Sequence, residues 1–443
     1  MRILLIQSYL GRKEKSVFPL GLAYLARNLD EHDVAAIDPN VLDDPFGSLR
    51  KKLHDFRPEI IGISLRNIDT TVFKDRFFYY KMLSTTINLV KEMLPDSKVI
   101  IGGSAFSLFA EEIMRRNQQI DFGVYLEGEE TFRELLKNLS IPPKVGGVYY
   151  RDGETVSFTG LQHHFDFKNA SLPRWDLFDL SLYNHPEGIG IQSKRGCALK
   201  CAYCTYPFLT GKGLRLRPPE KVVDEVEDIV GKYNIKYFMF ADTVFNLPQR
   251  HAEEICRELI RRRIAAKWSA YFSLKEMNEE FIRLAREAGC YFFFFSPDGF
   301  SDRSLTMLRK EISKRDLTHV YNLVRRLNLK DTKFDFGFFL NAPGLNYFSF
   351  FSLQWLLLKT NFLLPRRKFM HVSVNVTRIE PHTELEKIAL REKSLSKETD
   401  LLPHDEQFLS SVYYHNQDIK LAENIFKSLL FMKNLLIKLL AYF

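Results

Sequence analysis

The stretch RGCALKCAYC (195–204) spaces three cysteines, Cys197, Cys201 and Cys204, as C-x3-C-x2-C, and no fourth cysteine lies close enough to complete the set. Three thiolates can hold three irons of a cubane iron–sulfur cluster and leave the fourth iron an open position, as a reactive cofactor requires. A closed zinc site wants four ligands, and the nearest histidines on either side are His185 and His251. Disulfides are disfavoured: five cysteines are few for 443 residues, one would be left over, and no signal-peptide pattern follows Met1. The expected setting is the reducing cytoplasm. Cys256, in the helical pattern HAEEICRELI, and Cys290, ahead of an apolar run, read as small buried residues.

With Tyr203 placed before its last cysteine, the triad resembles the motif of the radical S-adenosylmethionine (SAM) superfamily. That resemblance implies a [4Fe-4S] cluster on Cys197, Cys201 and Cys204, with SAM chelating the open iron through its amino and carboxylate groups. It also implies reductive cleavage of SAM to a deoxyadenosyl radical, and an electron donor such as flavodoxin or ferredoxin. Lys194, Arg195 and Gly196 precede the first cysteine, and Lys200 lies between the first two, where a cation favours thiolate character and a solvated lysine is an equal reading.

The bulk numbers fit a soluble protein of two or three domains, with 45% apolar and 27% charged residues. A formal charge of +8 is spread too thinly to indicate nucleic acid. The 38 phenylalanines cluster at 291–295, 334–339 and 347–351, and most are expected in the core, with a subset available to line a pocket.

Residues 1–150 alternate apolar runs (MRILLIQSY, VAAID, IIGISL, KVIIGG, DFGVYL) with helical stretches, the pattern of a doubly wound parallel sheet. Ligands of such sheets bind beyond the strands' carboxyl ends, so the loops after Ile6, Ile63 and Ile101 are the expected binding loops. The second carries Ser64, Leu65 and Arg66. The third carries Gly102, Gly103 and Ser104, where glycine permits close backbone approach.

Together with FPLGLAYLARNL and the Glu127–Gly128 stretch YLEGEETFRELL, this half resembles the cobalamin-binding domain of many radical SAM enzymes. The D-x-H-x-x-G signature that brings an axial histidine to cobalt is missing after the first strand, and His32 and His54 lie away from that loop. The resemblance then implies base-off cobalamin without a histidine ligand. SLRNID is similar to a stretch of the tryptophan 2-C-methyltransferases, which implies that Arg66 lies below the cobalt and leaves that face free of a ligand. A second reading of Arg66 is an ion pair with Asp69 or Glu127.

Residues 151–188 hold a hairpin turn, RDGETV, and then a Pro- and Trp-containing stretch read as a linker. Residues 189–380 repeat strand and helix six times, the pattern of a partial (β/α)6 barrel related to the eight-stranded TIM barrel, with its chemistry at strand carboxyl ends. Asp242, in FADTVFN, is a candidate for the methionine amino group of SAM or a substrate proton, and equally for a helix N-cap. Ser296 and Asp298, in FFSPDGFSD, match the position where the resemblance implies a ribose-binding carboxylate; a turn residue is the other reading.

Residues 381–443 form an expected helical region outside the resemblance. Its last stretch, NIFKSLLFMKNLLIKLLAYF, is apolar but carries Lys427, Lys433 and Lys438, which argues against a spanning helix; covering the barrel, meeting a partner and lying on a membrane stay open. The family implies a cobalamin-dependent methyltransferase acting on a carbon of a small molecule. A cobalamin-dependent oxidative cyclase and a noncatalytic cofactor sensor are the alternatives.

Overall fold

The computed structural model describes residues 1–70, 75–364 and 369–425. Two parallel sheets organise the chain, one in each half. The first contains β1 (Arg2–Gln7), β2 (Asp33–Ile37), β3 (Ile60–Ser64), β4 (Lys98–Gly102), β5 (Phe122–Val124), β6 (Val148–Asp152) and β7 (Thr155–Phe158), in the order β2-β1-β3-β4-β5-β6-β7. β1 to β5 pair in parallel and β6 and β7 antiparallel. Ile3, Leu4, Leu5 and Ile6 are all fully buried, because helices cover both faces of a doubly wound sheet and alternation gives way to a continuous apolar run. The order reverses between β1 and β3, and a crevice opens beyond their carboxyl ends at such a reversal.

The RDGETV turn connects β6 to β7, so the hairpin belongs to the first sheet. The stretch read as a linker is packed: Trp175, Leu180 and Tyr183 share one core cluster with Phe18 and Ala23 of the first half and with Ile189 and Val222 of the second. Burying side chains of this size contributes about 1.5–3 kcal/mol each, and here that energy joins the two halves.

The second sheet runs β15-β14-β13-β12-β11-β8, every neighbour parallel. Its strands are β8 (Gly190–Ile191), β11 (Tyr237–Phe240), β12 (Lys267–Phe272), β13 (Cys290–Asp298), β14 (Lys333–Phe339) and β15 (Met370–Asn375). A short antiparallel hairpin of β9 (Lys194–Arg195) and β10 (Arg215–Leu216) brackets the cysteine loop. Phe293, Phe295, Phe334, Phe336 and Phe338 are buried, as the alternation along β13 and β14 requires. The third phenylalanine cluster departs from expectation: Phe350 is buried, but Phe348 is 82% and Phe351 60% exposed.

Past the barrel, Leu402 and Leu409 return to the core of the first sheet, and the described chain closes with a helix Glu384–Arg391 and 3-10 turns up to Ile419. The apolar stretch from residue 426 on, with Lys427, Lys433 and Lys438, lies outside the described residues.

Candidate active site between two cofactor domains

Cys197, Cys201 and Cys204 are free and sit on the loop that follows the first barrel strand. The backbone holds them from three directions: Cys197 N–H donates to Gly211 O (3.0 Å), Ala202 N–H to Leu308 O (2.8 Å), and Leu385 N–H to Ala202 O (2.7 Å). The thiols interact electrostatically with one another, and burial pushes Cys201 up and Cys204 up to about 12. Among the described residues, no three His, Cys, Asp or Glu side chains converge on one point as a single-ion site demands. A cubane differs, because each thiolate meets its own iron; the donor set fits three irons of a four-iron cluster.

A buried triad that the sequence did not announce supports the loop. Tyr203 Oη donates to Asp298 Oδ2 (2.5 Å), and Lys310 Nζ donates to the same oxygen (2.7 Å). Burial lowers the Lys310 ammonium's affinity for its proton, but Asp298 and Cys201 outweigh that and hold the pKa above its ordinary value. Asp298 adopts a left-handed backbone, φ 63°, at the end of β13. Its carboxylate is therefore engaged under the cysteine loop. The side chain of Ser296, partly buried at the same strand end, makes no hydrogen bond among the described residues.

Asp242 is also committed. Its carboxylate accepts from Ser193 N–H (2.8 Å), Ser193 Oγ (2.5 Å) and Lys194 N–H (3.2 Å), with Lys194 Nζ at 3.3 Å. No helix starts at this position, so the N-cap alternative fails as well. Asp242 thus fixes the turn between β8 and the cysteine loop.

Across from this loop, a cavity of about 410 Å3 opens at the carboxyl ends of β1, β3, β4 and β5. Ser64, Arg66, Gly102, Gly103, Ser104, Glu127 and Gly128 line it from the first domain, and Arg195, Tyr206 and Ala241 from the barrel. Leu65 is the exception among the loop candidates: it is buried in the core beside Ile68 and Phe106. Gly103 is glycine for the sake of that core, since at φ 101° an added Cβ would come within 2.5 Å of Leu65 O. Ser104 Oγ donates to Arg66 O (2.8 Å), tying the third binding loop to the second. Deeper in, a Cβ on Gly62 would meet Leu5 at 2.8 Å and Phe132 at 3.4 Å, so the packing of these two side chains against β3 requires glycine there.

Both partners considered for Arg66 are taken. Asp69 is paired with Arg378 (3.0 Å), and Glu127 with Arg215 (2.7 Å) and Arg195 (3.2 Å). Arg66 is exposed and forms no ion pair among the described residues. Tyr206, two residues beyond Cys204, lines the cavity, so the segment leaving the cysteine loop forms part of the cavity wall. Among the described residues, no histidine lines the cavity. A glycine-floored slot without an axial nitrogen donor fits base-off cobalamin.

The Glu127 ion pairs also join the domains. Arg195, the second residue before Cys197, reaches Glu127 and Glu129 (2.6 Å), and Arg215 on the same hairpin reaches Glu127. Burial works against the Glu127 carboxylate, but Arg215 and Arg195 hold its pKa below the ordinary range.

A doubly wound domain and an open parallel barrel, with the cysteine loop running on to Tyr206 in the cavity wall, define a two-cofactor enzyme of the α/β class. Family models agree half by half: a B12 binding domain matches residues 9–136, and the radical SAM superfamily matches residues 191–346. The chain thus carries a B12-binding domain followed by a radical SAM domain, the pairing that cobalamin-dependent radical SAM enzymes share.

An uncharacterized methyltransferase of Pyrococcus horikoshii is 27% identical over 70% of this chain and 67% of its own length. The anaerobic magnesium-protoporphyrin IX monomethyl ester cyclase of Rubrivivax gelatinosus is 24% identical over 66% of this chain, and the match spans only about half of it, 54%. The radical SAM methyltransferase TsrM of Kitasatospora setae, solved with cobalamin and a [4Fe-4S] cluster, superposes with a TM-score of 0.73 at 20% identity, covering 90% of this chain and 79% of its own. That likeness is one of fold.

Proposed function

We propose that the chain is a C-methyltransferase of the cobalamin-dependent radical SAM kind, acting on a small molecule in the cytoplasm and drawing electrons from a flavodoxin- or ferredoxin-like donor. The observation that carries this reading is adjacency: Tyr206, two residues beyond Cys204, lines the Arg66 cavity. When bound, cobalamin supplies a transferable methyl group, while a cluster on three thiolates supplies an electron and one open iron for SAM.

The protein's own residues hold and orient. Cys197, Cys201 and Cys204 ligate three irons. Ser64, Gly102, Gly103, Ser104 and Gly128 form the cobalamin cradle. Lys310, steadied by Asp298 and Tyr203, places a buried cation within electrostatic reach of Cys201 and Cys204, where a carboxylate at the open iron would meet it. Ser296 stays available to a ribose hydroxyl. Arg66 cannot ligate cobalt, since a guanidinium offers no lone pair at any accessible pH, and in the cavity it would keep water and other donors from the lower face.

Arg66→Ala is therefore expected to admit an axial donor, seen as altered absorption and electron paramagnetic resonance spectra of bound cob(II)alamin with unchanged iron content. Unchanged spectra and turnover would remove Arg66 from the mechanism.

A second reading, oxidative cyclisation, draws support from the cyclase relative. Anaerobic turnover with methyl-labelled SAM separates the two. Label in the product together with deoxyadenosine is the expected outcome. Label without deoxyadenosine indicates a nonradical transfer, and an unlabelled product with deoxyadenosine sinks methylation in favour of cyclisation.

A further inference from the structure

Each barrel strand turns one face to the surrounding helices and the other to the barrel's interior. Phe272, Phe293, Phe336 and Val372 share a core cluster with the helical residues Val222, Ile255 and Phe281, so they point outward. Alternation then turns Tyr271, Phe294, Asp335 and His371 inward. These four stand in one row across β12 to β15: Tyr271 is in register with Phe294, Phe294 with Asp335, and Asp335 with His371.

The row is a wall with open space in front of it. Tyr271 is 43% exposed although β12 is a central strand. A Cβ on Gly337, two residues beyond Asp335 on the same face, would meet nothing within 4 Å among the described residues except Ser373 Oγ (3.5 Å) and Phe295 O (3.7 Å). Ring faces dominate the wall: Tyr271 and Phe294 lie 5.2 Å apart at 34°, and Phe292 and Phe294 lie 3.9 Å apart. Higher on the same face, Phe339 packs edge-on against Tyr203 at 4.8 Å, so the wall runs up to the cysteine loop.

One acid interrupts the rings. Asp335 accepts from Ser373 Oγ (2.7 Å) and from His371 Nδ1 (2.8 Å). A carboxylate only accepts, so Nδ1 carries the proton and His371 Nε2 is left as a further acceptor. Lysines face inward only at Lys267 and Lys333, the first residues of β12 and β14, at the end of the barrel away from the cysteine loop. Acceptors without a neighbouring cation select a donor, and ring faces select a flat ring or a cation. Adjacent strands are about 4.8 Å apart, which puts roughly 5–10 Å between the Asp335 position and those of Phe294 and Tyr271, the span of one ring with a short arm.

We propose that the inner face of the barrel binds a small aromatic amine, its ring against Tyr271 and Phe294 and its nitrogen on Asp335, which His371 and Ser373 hold in place. This names a substrate class for the methyl-transfer reading and rests on that reading for the use of the site, while binding itself is measured without turnover.

The holoenzyme, loaded with cluster, cobalamin and SAM and kept anaerobic without reductant, is titrated with phenylethylamine, phenylpropionate and cyclohexylethylamine. Phenylethylamine is expected to bind roughly tenfold tighter or more than either of the others. Asp335→Asn keeps the shape, removes the charge and is expected to weaken amine binding roughly tenfold or more. Gly337→Leu fills the space in front of β14 and is expected to abolish amine binding. Iron and cobalamin contents are expected to stay unchanged in both variants. Four results overturn the proposal: no amine binding, a preference for the propionate, equal binding of the three probes, or amine binding that either variant leaves intact. Amine binding as expected, with no methylated product from labelled SAM, would keep the site and fail the methyl-transfer reading; a methylated product without amine binding would do the reverse.

Discussion

Cys201→Ala is expected to abolish turnover and the deoxyadenosine product, with loss of the cluster's charge-transfer absorption and of most bound iron. The chain supplies no substitute: Cys256 and Cys290 are fully buried in the barrel core, and no described His, Cys, Asp or Glu cluster could take over the ligand's place. Cobalamin binding is expected to survive, because the first-domain residues of its slot do not include the cysteines. Iron analysis, anaerobic absorption and cobalamin retention on a desalting column check the three parts. A Cys201→Ala protein that kept its cluster and made deoxyadenosine would refute the assignment of the triad.

That prediction was legible in ten residues because the cysteine spacing is local: a loop of that length brings its own thiols together. Strand and helix alternation was legible for a similar reason, since a continuous run such as RILLIQ admits few placements other than a strand buried on both faces. The side chains that convene over long separations were not legible. Lys310 reaches Asp298 and Tyr203 from 12 and 107 residues away, and nothing in the local stretch RKE marks it. Asp242 shows the complementary case: its strand-end position is legible, but position does not reveal which way a carboxylate turns, and here it turns to Ser193. The 347–351 cluster was assigned to the core because Phe usually is; exposure depends on what the rest of the chain leaves uncovered.

The second large effect is expected at Arg195, whose guanidinium is 8% exposed and sits among Glu127, Glu129 and the rings of Phe167 and Tyr24. Arg195→Met keeps much of the volume and removes the charge. Glu129 then loses its ion-pair partner, and Glu127 keeps Arg215, His164 and the Phe165 N–H. Breaking a buried pair by deleting one partner costs about 3–5 kcal/mol, because the remaining charge stays desolvated. The linkage fixes the pH dependence. The depressed Glu127 pKa contributes stability that is complete at neutral pH, above the ordinary carboxylate range, and disappears as pH falls through the depressed value. In the variant, the Glu127 carboxylate has less compensation and titrates higher, so acid relieves part of the penalty. Urea unfolding is therefore expected to show the full deficit at neutral pH and a smaller one under acid conditions; equal deficits at both would mean lost packing rather than lost charge. Because Arg195 leads directly into Gly196 and Cys197, the same variant is expected to retain less iron after anaerobic reconstitution, linking a domain-joining ion pair to the geometry of the cysteine loop.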